Sequence, residues 1–362
     1  MAQGFSIPSP RRTSTFCFQA KRISSFSKAS MERMSRKQKR TSFLSMRLLI
    51  CTQSVDKNDP ALGFFHRWIE EFAKRCEQVI VVCLRKGEYA LPANVEVITL
   101  GERNRALRAV ELCAISWGRR REYDAVFAHM SPEFVVVSGW LWRLLRKKVG
   151  LWYVHKSVTL WLRLAIPFVH RVFTASQESL RVNTPKRTIT GHGIDTDFFM
   201  PDPAVPRGNH LLSAGRLDKS KNHTLIIQAA KKAGLSLRIA GEGPEKEALA
   251  MIAKEIGANV EFLGGLTQTE LLDEYRRAAH FVHASTTGGM DKVVLEAAAC
   301  DCDVITTVDW LHTYFPVHSV DPTPEAIAHA ALENARESAD RVSIIRAHHS
   351  LHALIPKILA FY

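Results

Sequence analysis

From Met46 onward, short runs of β-branched and other apolar residues alternate with stretches in which apolar residues recur at helical spacing. This alternation is typical of an α/β fold built on a parallel sheet. A Pro- and Gly-rich stretch, 201–208, reads as an exposed linker and divides the pattern into two series. The predicted strands are Arg47–Gln53, Gln78–Cys83, Val95–Leu100, Ala125–Ala128, Val149–Val154, Arg171–Ala175 and Thr188–Gly191, then His210–Ala214, Ser236–Ala240, Asn259–Leu263, His280–Ala284 and Asp303–Thr307.

The two series predict two doubly wound, Rossmann-like domains, residues 46–204 and 205–340, and 362 residues suit two cores of ordinary size. A C-terminal helical stretch, 341–362, is predicted to break at Pro356, with a return to the first domain left open. No apolar run reaches the roughly 18 residues of a membrane-spanning helix. With 46% hydrophobic and 23% charged residues, the composition excludes a disordered or fibrous chain.

Most of the net charge of +13 lies in residues 1–45, which carry ten Lys and Arg against the single acid Glu32. This Ser- and Arg-rich leader is predicted to be disordered. Three interpretations stay open: an organelle transit peptide, a basic tail for RNA or a membrane surface, and sequence upstream of a true start at Met46. We favour the third, and we expect no nucleic-acid partner.

The seven cysteines are irregularly spaced and odd in number, which favours reduced thiols and a cytoplasmic location. Cys300 and Cys302 form a C-x-C without a second pair, so no zinc site is predicted.

Three loops follow predicted strands of the second series, where parallel sheets bind ligands. Arg216, with Lys221 shortly after it, suits a diphosphate, although a solvated turn fits as well. The loop 241–246 lacks the third glycine of a dinucleotide-binding motif. The stretch 286–300 places Gly288 and Gly289 before a helix whose N-terminus could hold a phosphate, or which could simply pack in the core.

These loops resemble, in order and spacing, the large retaining family of GT-B glycosyltransferases known as glycosyl transferases group 1. The resemblance runs from about Met46 to Thr307 and implies two Rossmann-like domains facing across a cleft. It is carried by TASQESL (174–180), GHGIDTDFF (191–199), SAGRLDKSKN (213–222), IAGEGPE (239–245), FLGGLTQTELLDEYRRA (262–278) and DKVVLEAAAC (291–300).

The resemblance implies roles for particular residues. His155 matches the active-site histidine of the N-terminal domain, and Glu296 matches the second glutamate of the family's E-x7-E motif, which binds the ribose. The backbone around Phe262, Leu263 and Gly264 would lie near the base. The donor diphosphate would be bound by Arg216, Lys221, Gly63, Gly289, Met290, Lys292 and Val293.

Two departures from the family pattern stand out. Gly288 occupies the position of the first glutamate of E-x7-E, and we expect the nearby Asp291 to substitute as a catalytic carboxylate. His192 replaces the usual asparagine of the middle loop. The stretch Asp301-Cys302-Asp303 spells D-x-D but falls at a helix-to-strand turn, so no metal is expected.

His129, Glu133 and Lys156 flank strand ends of the first domain and are acceptor-side candidates. Four tryptophans, at 140, 142, 152 and 161, interleave with basic residues, which indicates either core aromatics beside a solvated charge run or a surface that rests on a bilayer.

We therefore expect a metal-independent, cofactor-free retaining glycosyltransferase. Its donor would be a UDP- or GDP-sugar, and a lipid-linked or polysaccharide acceptor of cell-envelope glycan synthesis is favoured. A non-catalytic nucleotide-sugar-binding protein on the same fold is the alternative, motivated by Gly288. A cytoplasmic protein at the inner membrane face is expected, or an imported one if the leader is a transit peptide.

Overall fold

The computed structural model describes residues 45–59, 62–333 and 339–362, so the predicted leader lies almost wholly outside it. The first sheet has seven parallel strands in the order β3-β2-β1-β4-β5-β6-β7. They are β1 Arg47–Val55, β2 Gln78–Lys86, β3 Val95–Thr99, β4 Ala125–His129, β5 Lys148–Trp152, β6 Arg171–Thr174 and β7 Arg187–Ile189. Its helices are α1 Phe64–Ala73, α2 Arg105–Gly118, α3 Pro132–Leu144 and α4 Leu160–Ala165.

The second sheet has six parallel strands in the order β10-β9-β8-β11-β12-β13. Two parallel sheets wound with helices confirm the predicted fold class. The strands are β8 Leu211–Ala214, β9 Leu237–Ala240, β10 Val260–Gly264, β11 His280–His283, β12 Asp303–Thr306 and β13 His318–Ser319. The helices are α5 His223–Ala233, α6 Lys246–Glu255, α7 Gln268–Arg277, α8 Lys292–Ala299 and α9 Pro324–Leu332, followed by α10 Ala339–His349 and α11 Leu351–Leu359.

Both faces of the second sheet are buried, because helices cover it on each side. Leu212, Phe281 and Val304 point to one face and pack with α8. Their strand neighbours Leu211 and Val282 point to the other face and pack with α5. The alternation explains why these strands read as short continuous apolar runs.

The C-terminal stretch forms two helices that break at Ser350, so the predicted break at Pro356 is wrong. The N–H groups of Gly193 and Ile194 donate to the carbonyl of His349, and Leu351 N–H donates to the carbonyl of Ile194. These bonds hold Ser350 in an extended conformation, where its hydroxyl caps α11, and Pro356 lies inside that helix. The cap and the strand-like pairing therefore determine that α10 ends and α11 begins at Ser350.

The two C-terminal helices contact different sheets. Helix α10 packs against α8 of the second sheet, and α11 packs against α1 of the first. Beyond α11, the Tyr362 hydroxyl donates to the carbonyl of Val126 in β4, at 2.7 Å. The chain therefore crosses between the sheets twice, once before β8 and once at Ser350.

We predict that Ser350→Ala lowers the free energy of unfolding by about 1 kcal/mol, because it removes the N-cap of α11. Urea unfolding monitored by circular dichroism measures the change. Ser350→Thr keeps a capping hydroxyl and should stay close to the wild type. Equal losses in the two variants would contradict the capping role.

Candidate functional site

The candidate site lies where the strand order of the second sheet reverses, between β8 and β11. Loops leave the carboxyl ends of these neighbouring strands toward opposite sides, which opens a crevice suited to ligands. The first loop carries Arg216 and Lys221, and the second runs from Ala284 to Asp291. Thr286 donates its N–H to the carbonyl of Ser220 and so ties the two loops together, at 2.8 Å.

Backbone hydrogen bonds also join the loops after β8, β9 and β10. Gly215 N–H donates to the Ala240 carbonyl at 2.9 Å, and Gly241 N–H donates to the Gly264 carbonyl at 2.7 Å. A Cβ at Gly241, where φ is +141°, would lie 1.9 Å from the Gly215 oxygen. Glycine is therefore required at Gly241, both by the backbone angle and by the approach of the neighbouring loop.

The two predicted diphosphate-binding cations differ in their surroundings. The Arg216 side chain is 72% exposed, and its nearest carboxylate oxygen, on Asp218, is 3.7 Å from Nε. Lys221 ends a short 3-10 helix, is 22% exposed and forms an ion pair with Asp291. Arg216 is free to reach an anion, whereas Lys221 already shares a carboxylate.

Asp291 lies at the N-cap position of α8 without capping it, because its Oδ2 faces Lys221 and His283 instead. Burial alone would raise the pKa of Asp291, but the hydrogen bond from His283, together with the charge and hydrogen bond of Lys221, holds that pKa below its usual range. The carboxylate predicted to be catalytic is therefore ionised and fixed by two partners. His283 is not among the residues predicted from the sequence, although a histidine at a strand end beside the switch point is a recognisable signal.

No side chain caps the first turn of α8, so the backbone N–H groups of Lys292 and Val293 stay available to an anion. The side chains near this turn serve the core: Met290 is buried, and Val293 packs against the apolar cluster. Gly289 adds no side chain over the turn. At these three predicted positions, a diphosphate would meet backbone and not side chains.

Lys292 and Glu296 form an ion pair on α8. Glu296 is 3% exposed, and its second oxygen accepts a hydrogen bond from the Tyr275 hydroxyl at 3.3 Å. The Lys292 ammonium lies 4.4 Å from the ring centre of Phe64 on α1. A ribose could reach Glu296 only after Lys292 moves, so the ribose assignment stays a prediction.

Lys156 crosses from the first sheet to the loop of the second. Its ammonium donates to the carbonyl of Thr287, and a Cβ on Gly288 would lie 2.8 Å from Nζ. Desolvation, and then the nearby Arg181, lower the pKa of Lys156. Gly288, at the position of the first glutamate in the family pattern, is thus covered by the Lys156 ammonium group and has a φ of +59°.

His155, next to Lys156, is exposed and pairs with Leu180 in an isolated parallel bridge. Its Nδ1 accepts a hydrogen bond from the N–H of Ser157 at 3.0 Å. In the neutral ring the proton therefore lies on Nε2, which leaves an N–H donor at the outer edge of the imidazole.

A cavity of about 780 Å³ lies between the loop after β1 and the segment after β10. Lys57, Asn58 and Asp59 line it from one side, and residues 265–269 line it from the other. Gly63, buried at the start of α1, approaches the carbonyls of residues 57 and 59 so closely that a Cβ would clash. Phe262 and Leu263 pack partly into the two cores, and Gly264 ends β10 beside this cavity.

The acceptor-side candidates separate in space. His129 is 1% exposed, with its ring 3.8 Å from that of Phe65, and burial, with a smaller effect of His192, lowers its pKa to about 3. His129 is therefore a neutral, buried core residue. Glu133 lines a different, mostly apolar cavity of about 600 Å³ beside α2, α3 and α4.

The D-x-D sequence is held inside the protein: Arg341 Nη2 lies 3.1 Å from Asp303 Oδ1, and Asp303 is 3% exposed. Residues 45–59, 62–333 and 339–362 contain no group of three or more His, Cys, Asp or Glu side chains arranged to hold a metal ion. In the same residues, every helix is too short or too polar to cross a membrane.

We predict that Gly241→Ala lowers the free energy of unfolding by about 3 kcal/mol or more, because the new Cβ would overlap the Gly215 carbonyl. The matched control is Gly234→Ala, where φ is +68° but no atom lies within 4 Å, so a loss of only about 1 kcal/mol is expected. Urea unfolding of both variants measures the difference. Similar losses would show that backbone angle, and not loop contact, limits this position.

Comparison with known proteins supports the sequence resemblance over part of the chain. Residues 196–310 match the family model of glycosyl transferases group 1. A Campylobacter jejuni protein, N-acetylgalactosamine-N,N'-diacetylbacillosaminyl-diphospho-undecaprenol 4-alpha-N-acetylgalactosaminyltransferase, is 36% identical over 99 residues. That match spans 27% of this chain and 27% of the relative, so it covers about a quarter of the relative's length.

Solved structures extend the likeness to both sheets. The Anabaena protein Alr3699/HepE in complex with UDP has a TM-score of 0.68 at 15% identity, covering 87% of this chain and 99% of the other. WaaG, a glycosyltransferase involved in lipopolysaccharide biosynthesis, has a TM-score of 0.61 at 14% identity, with coverage of 87% and 99%. Such identities establish the fold alone. The chain therefore has the GT-B fold, and its residues 196–310 carry the sequence pattern of the group 1 glycosyltransferases.

Proposed function

We propose that this chain is a retaining, metal-independent glycosyltransferase that moves a sugar from a UDP- or GDP-sugar to an acceptor. One observation carries the proposal. Arg216, Lys221 and the uncapped N-terminus of α8 flank the same switch point, inside the segment that matches the family model. Two cations and a helix N-terminus at one crevice suit a nucleoside diphosphate.

The chemistry asks the protein chiefly to stabilise charge. As the bond between the sugar C1 and the diphosphate breaks, negative charge grows on the leaving phosphate. Arg216 is 72% exposed and reaches that charge directly, while Lys221 and the N–H groups of Lys292 and Val293 face it from the loop side. Preorganised donors of this kind lower the barrier without a metal ion.

Retention follows from attack on the same face that the diphosphate leaves. The acceptor hydroxyl forms the new bond to C1, and its proton passes to the leaving phosphate oxygen, so no separate base is needed. His155 has its outer N–H available to orient the sugar. Asp291, ionised beside Gly289, supplies the carboxylate that Gly288 lacks.

UDP is the donor nucleotide that we propose to test first, because the Anabaena structure similar to this chain contains UDP. The name of the Campylobacter jejuni relative describes a diphospho-undecaprenol-linked substrate. We extend this class, a lipid-linked acceptor, to the present chain.

The cavity of about 600 Å³ in the first domain supports a lipid-linked acceptor. Leu84, Leu100, Leu112 and Phe134 give it an apolar lining. Arg105 and Arg108 could pair with a phosphate group, and Glu133 could accept hydrogen bonds from a sugar. The polar and charged side chains that line the cavity are Gln53, Arg105, Arg108, Ser131 and Glu133.

The helices around this cavity expose an apolar surface that suits a bilayer. Of thirteen exposed large hydrophobic side chains in the described chain, eight lie on α2, α3 and α4. Trp140 and Trp161 belong to this surface, whereas Trp142 and Trp152 are buried, so the basic-aromatic stretch divides between core and surface. The eight side chains are Leu107, Val110, Trp117, Trp140, Leu144, Leu160, Trp161 and Leu164.

We predict that the wild type hydrolyses or transfers from at least one UDP- or GDP-sugar, and that Arg216→Ala lowers kcat/KM by about tenfold to a hundredfold. The loss reflects a charge-assisted contact to the leaving phosphate. Coupled assay of released nucleotide measures it, and nuclear magnetic resonance of the product anomer tests retention.

Lys219→Ala is the matched control, since Lys219 is an exposed cation three residues from Arg216 and is assigned no contact with the donor. This variant should keep kcat/KM within about twofold of the wild type. Adding EDTA to the wild type should also leave kcat/KM within about twofold, because the proposed reaction needs no metal ion. Nucleotide binding by calorimetry without turnover of any donor would favour the non-catalytic nucleotide-sugar-binding alternative. An inverted product anomer would overturn retention.

We predict that the chain floats with vesicles containing anionic phospholipid and that Leu160→Gln with Leu164→Gln weakens this binding by at least about tenfold. Met251→Gln is the control, because Met251 on α6 of the second sheet is 66% exposed, close to the 69% of Leu160. Wild-type protein that stays with the soluble fraction, or equal weakening by the control, would contradict docking through α2, α3 and α4.

A further inference from the structure

The side chains of His283 and Thr306 form a buried pair behind Asp291. They are register partners on the adjacent strands β11 and β12, and His283 Nδ1 lies 3.1 Å from Thr306 Oγ1. His283 is 4% exposed and Thr306 is fully buried. On the other side of the ring, His283 Nε2 lies 2.9 Å from Asp291 Oδ2.

The hydrogen-bond partners fix which ring nitrogen carries the proton. The Asp291 carboxylate accepts hydrogen bonds only, so Nε2 of His283 must donate to it. In the neutral ring Nδ1 is then an acceptor, and the Thr306 hydroxyl, whose oxygen accepts from the N–H of Val308 at 3.1 Å, can donate its own O–H to Nδ1. This pairing favours the tautomer in which Nε2 carries the proton that serves Asp291.

This arrangement uses only one oxygen of Asp291. His283 and Lys221 both face Oδ2, and no hydrogen bond of the described residues involves Oδ1. Oδ1 lies 3.5 Å from the position that a Cβ on Gly289 would take, and the Asp291 side chain is 22% exposed. A Cβ at Gly289 would rest in ordinary van der Waals contact with Oδ1, so the glycine leaves that side of the oxygen uncovered.

We infer that Thr306 and His283 are positioning residues that aim Asp291 Oδ1 at a hydroxyl group of the transferred sugar. The inference rests on the proposed function, which places the donor diphosphate at Lys221 and at the N-terminus of α8. The sugar is bonded directly to that diphosphate and so comes next to Gly289. A carboxylate oxygen accepts the hydrogen bond of a sugar hydroxyl, and fixing its direction selects among hydroxyl positions.

Thr306→Val tests the inference because it replaces the hydroxyl by a methyl group of similar size. The measurements are UDP affinity by calorimetry, and kcat and KM with the preferred UDP- or GDP-sugar and with its singly deoxygenated analogues. We expect UDP affinity within about twofold of the wild type. We expect kcat for the parent sugar to fall by about tenfold. Discrimination, the ratio of kcat/KM for the parent sugar to kcat/KM for a deoxy analogue, should be lost for one of the analogues. Thr306→Ser keeps the hydroxyl and should behave as the wild type.

His283→Gln provides an independent variant, because its amide N–H can donate to Asp291 without help from Thr306. We expect this variant to keep part of the discrimination, and Thr306→Val added to it to cause no further loss. A purely structural role predicts additive losses in melting temperature and in UDP affinity instead.

The outcomes separate the inference from the proposed function. Turnover with unchanged discrimination in Thr306→Val overturns the positioning role and leaves the glycosyltransferase in place. Equal losses of UDP affinity and turnover in that variant also overturn it. A wild type that binds every nucleotide sugar no more tightly than the free nucleotide, and turns none over, overturns both.

Discussion

The reversal of strand order between β8 and β11 is the constraint on which the site depends. Parallel strands deliver all their carboxyl ends to one edge, and at the reversal the outgoing loops must part. Backbone bonds from Gly215 and Gly241 then set how closely the remaining loops approach. The crevice is therefore a product of topology and of two residues without side chains, before any charged side chain contributes.

Charge in the crevice is nearly balanced by internal pairs. Lys221 is paired with Asp291 and Lys292 with Glu296, whereas the exposed Arg216 has only a long contact of 3.7 Å to Asp218. Under the proposed function, a bound diphosphate would share or take over the two lysines, and each carboxylate would then keep only its second donor, His283 or Tyr275. Hydroxyl groups of the sugar and of the ribose could replace the lost donors. The proposed function thus links binding of the nucleotide and of the sugar through the same ion pairs.

Apolar periodicity predicted twelve of the thirteen strands in the described residues, because parallel strands buried on both faces leave apolar runs such as β1, whereas the two-residue β13 leaves none. It also placed Arg216 and Asp291 at strand and helix ends. It could not supply contacts set by tertiary pairing. The stop at Ser350 depends on Ile194, Lys156 meets a loop 131 residues away, and Thr306 reaches His283 only because β11 and β12 become neighbours. Such pairings follow from topology and have no local signature.

The two chain crossings also have a mechanical consequence. The segment at Gly193 and Ile194 and the segment at Ser350 run side by side and are hydrogen-bonded to each other. If one sheet rotates relative to the other, these hydrogen bonds favour bending of both segments at this one place. Opening and closing of the cleft would then follow one axis, which brings Lys156 and Phe64 back to the same partners each time the cleft shuts.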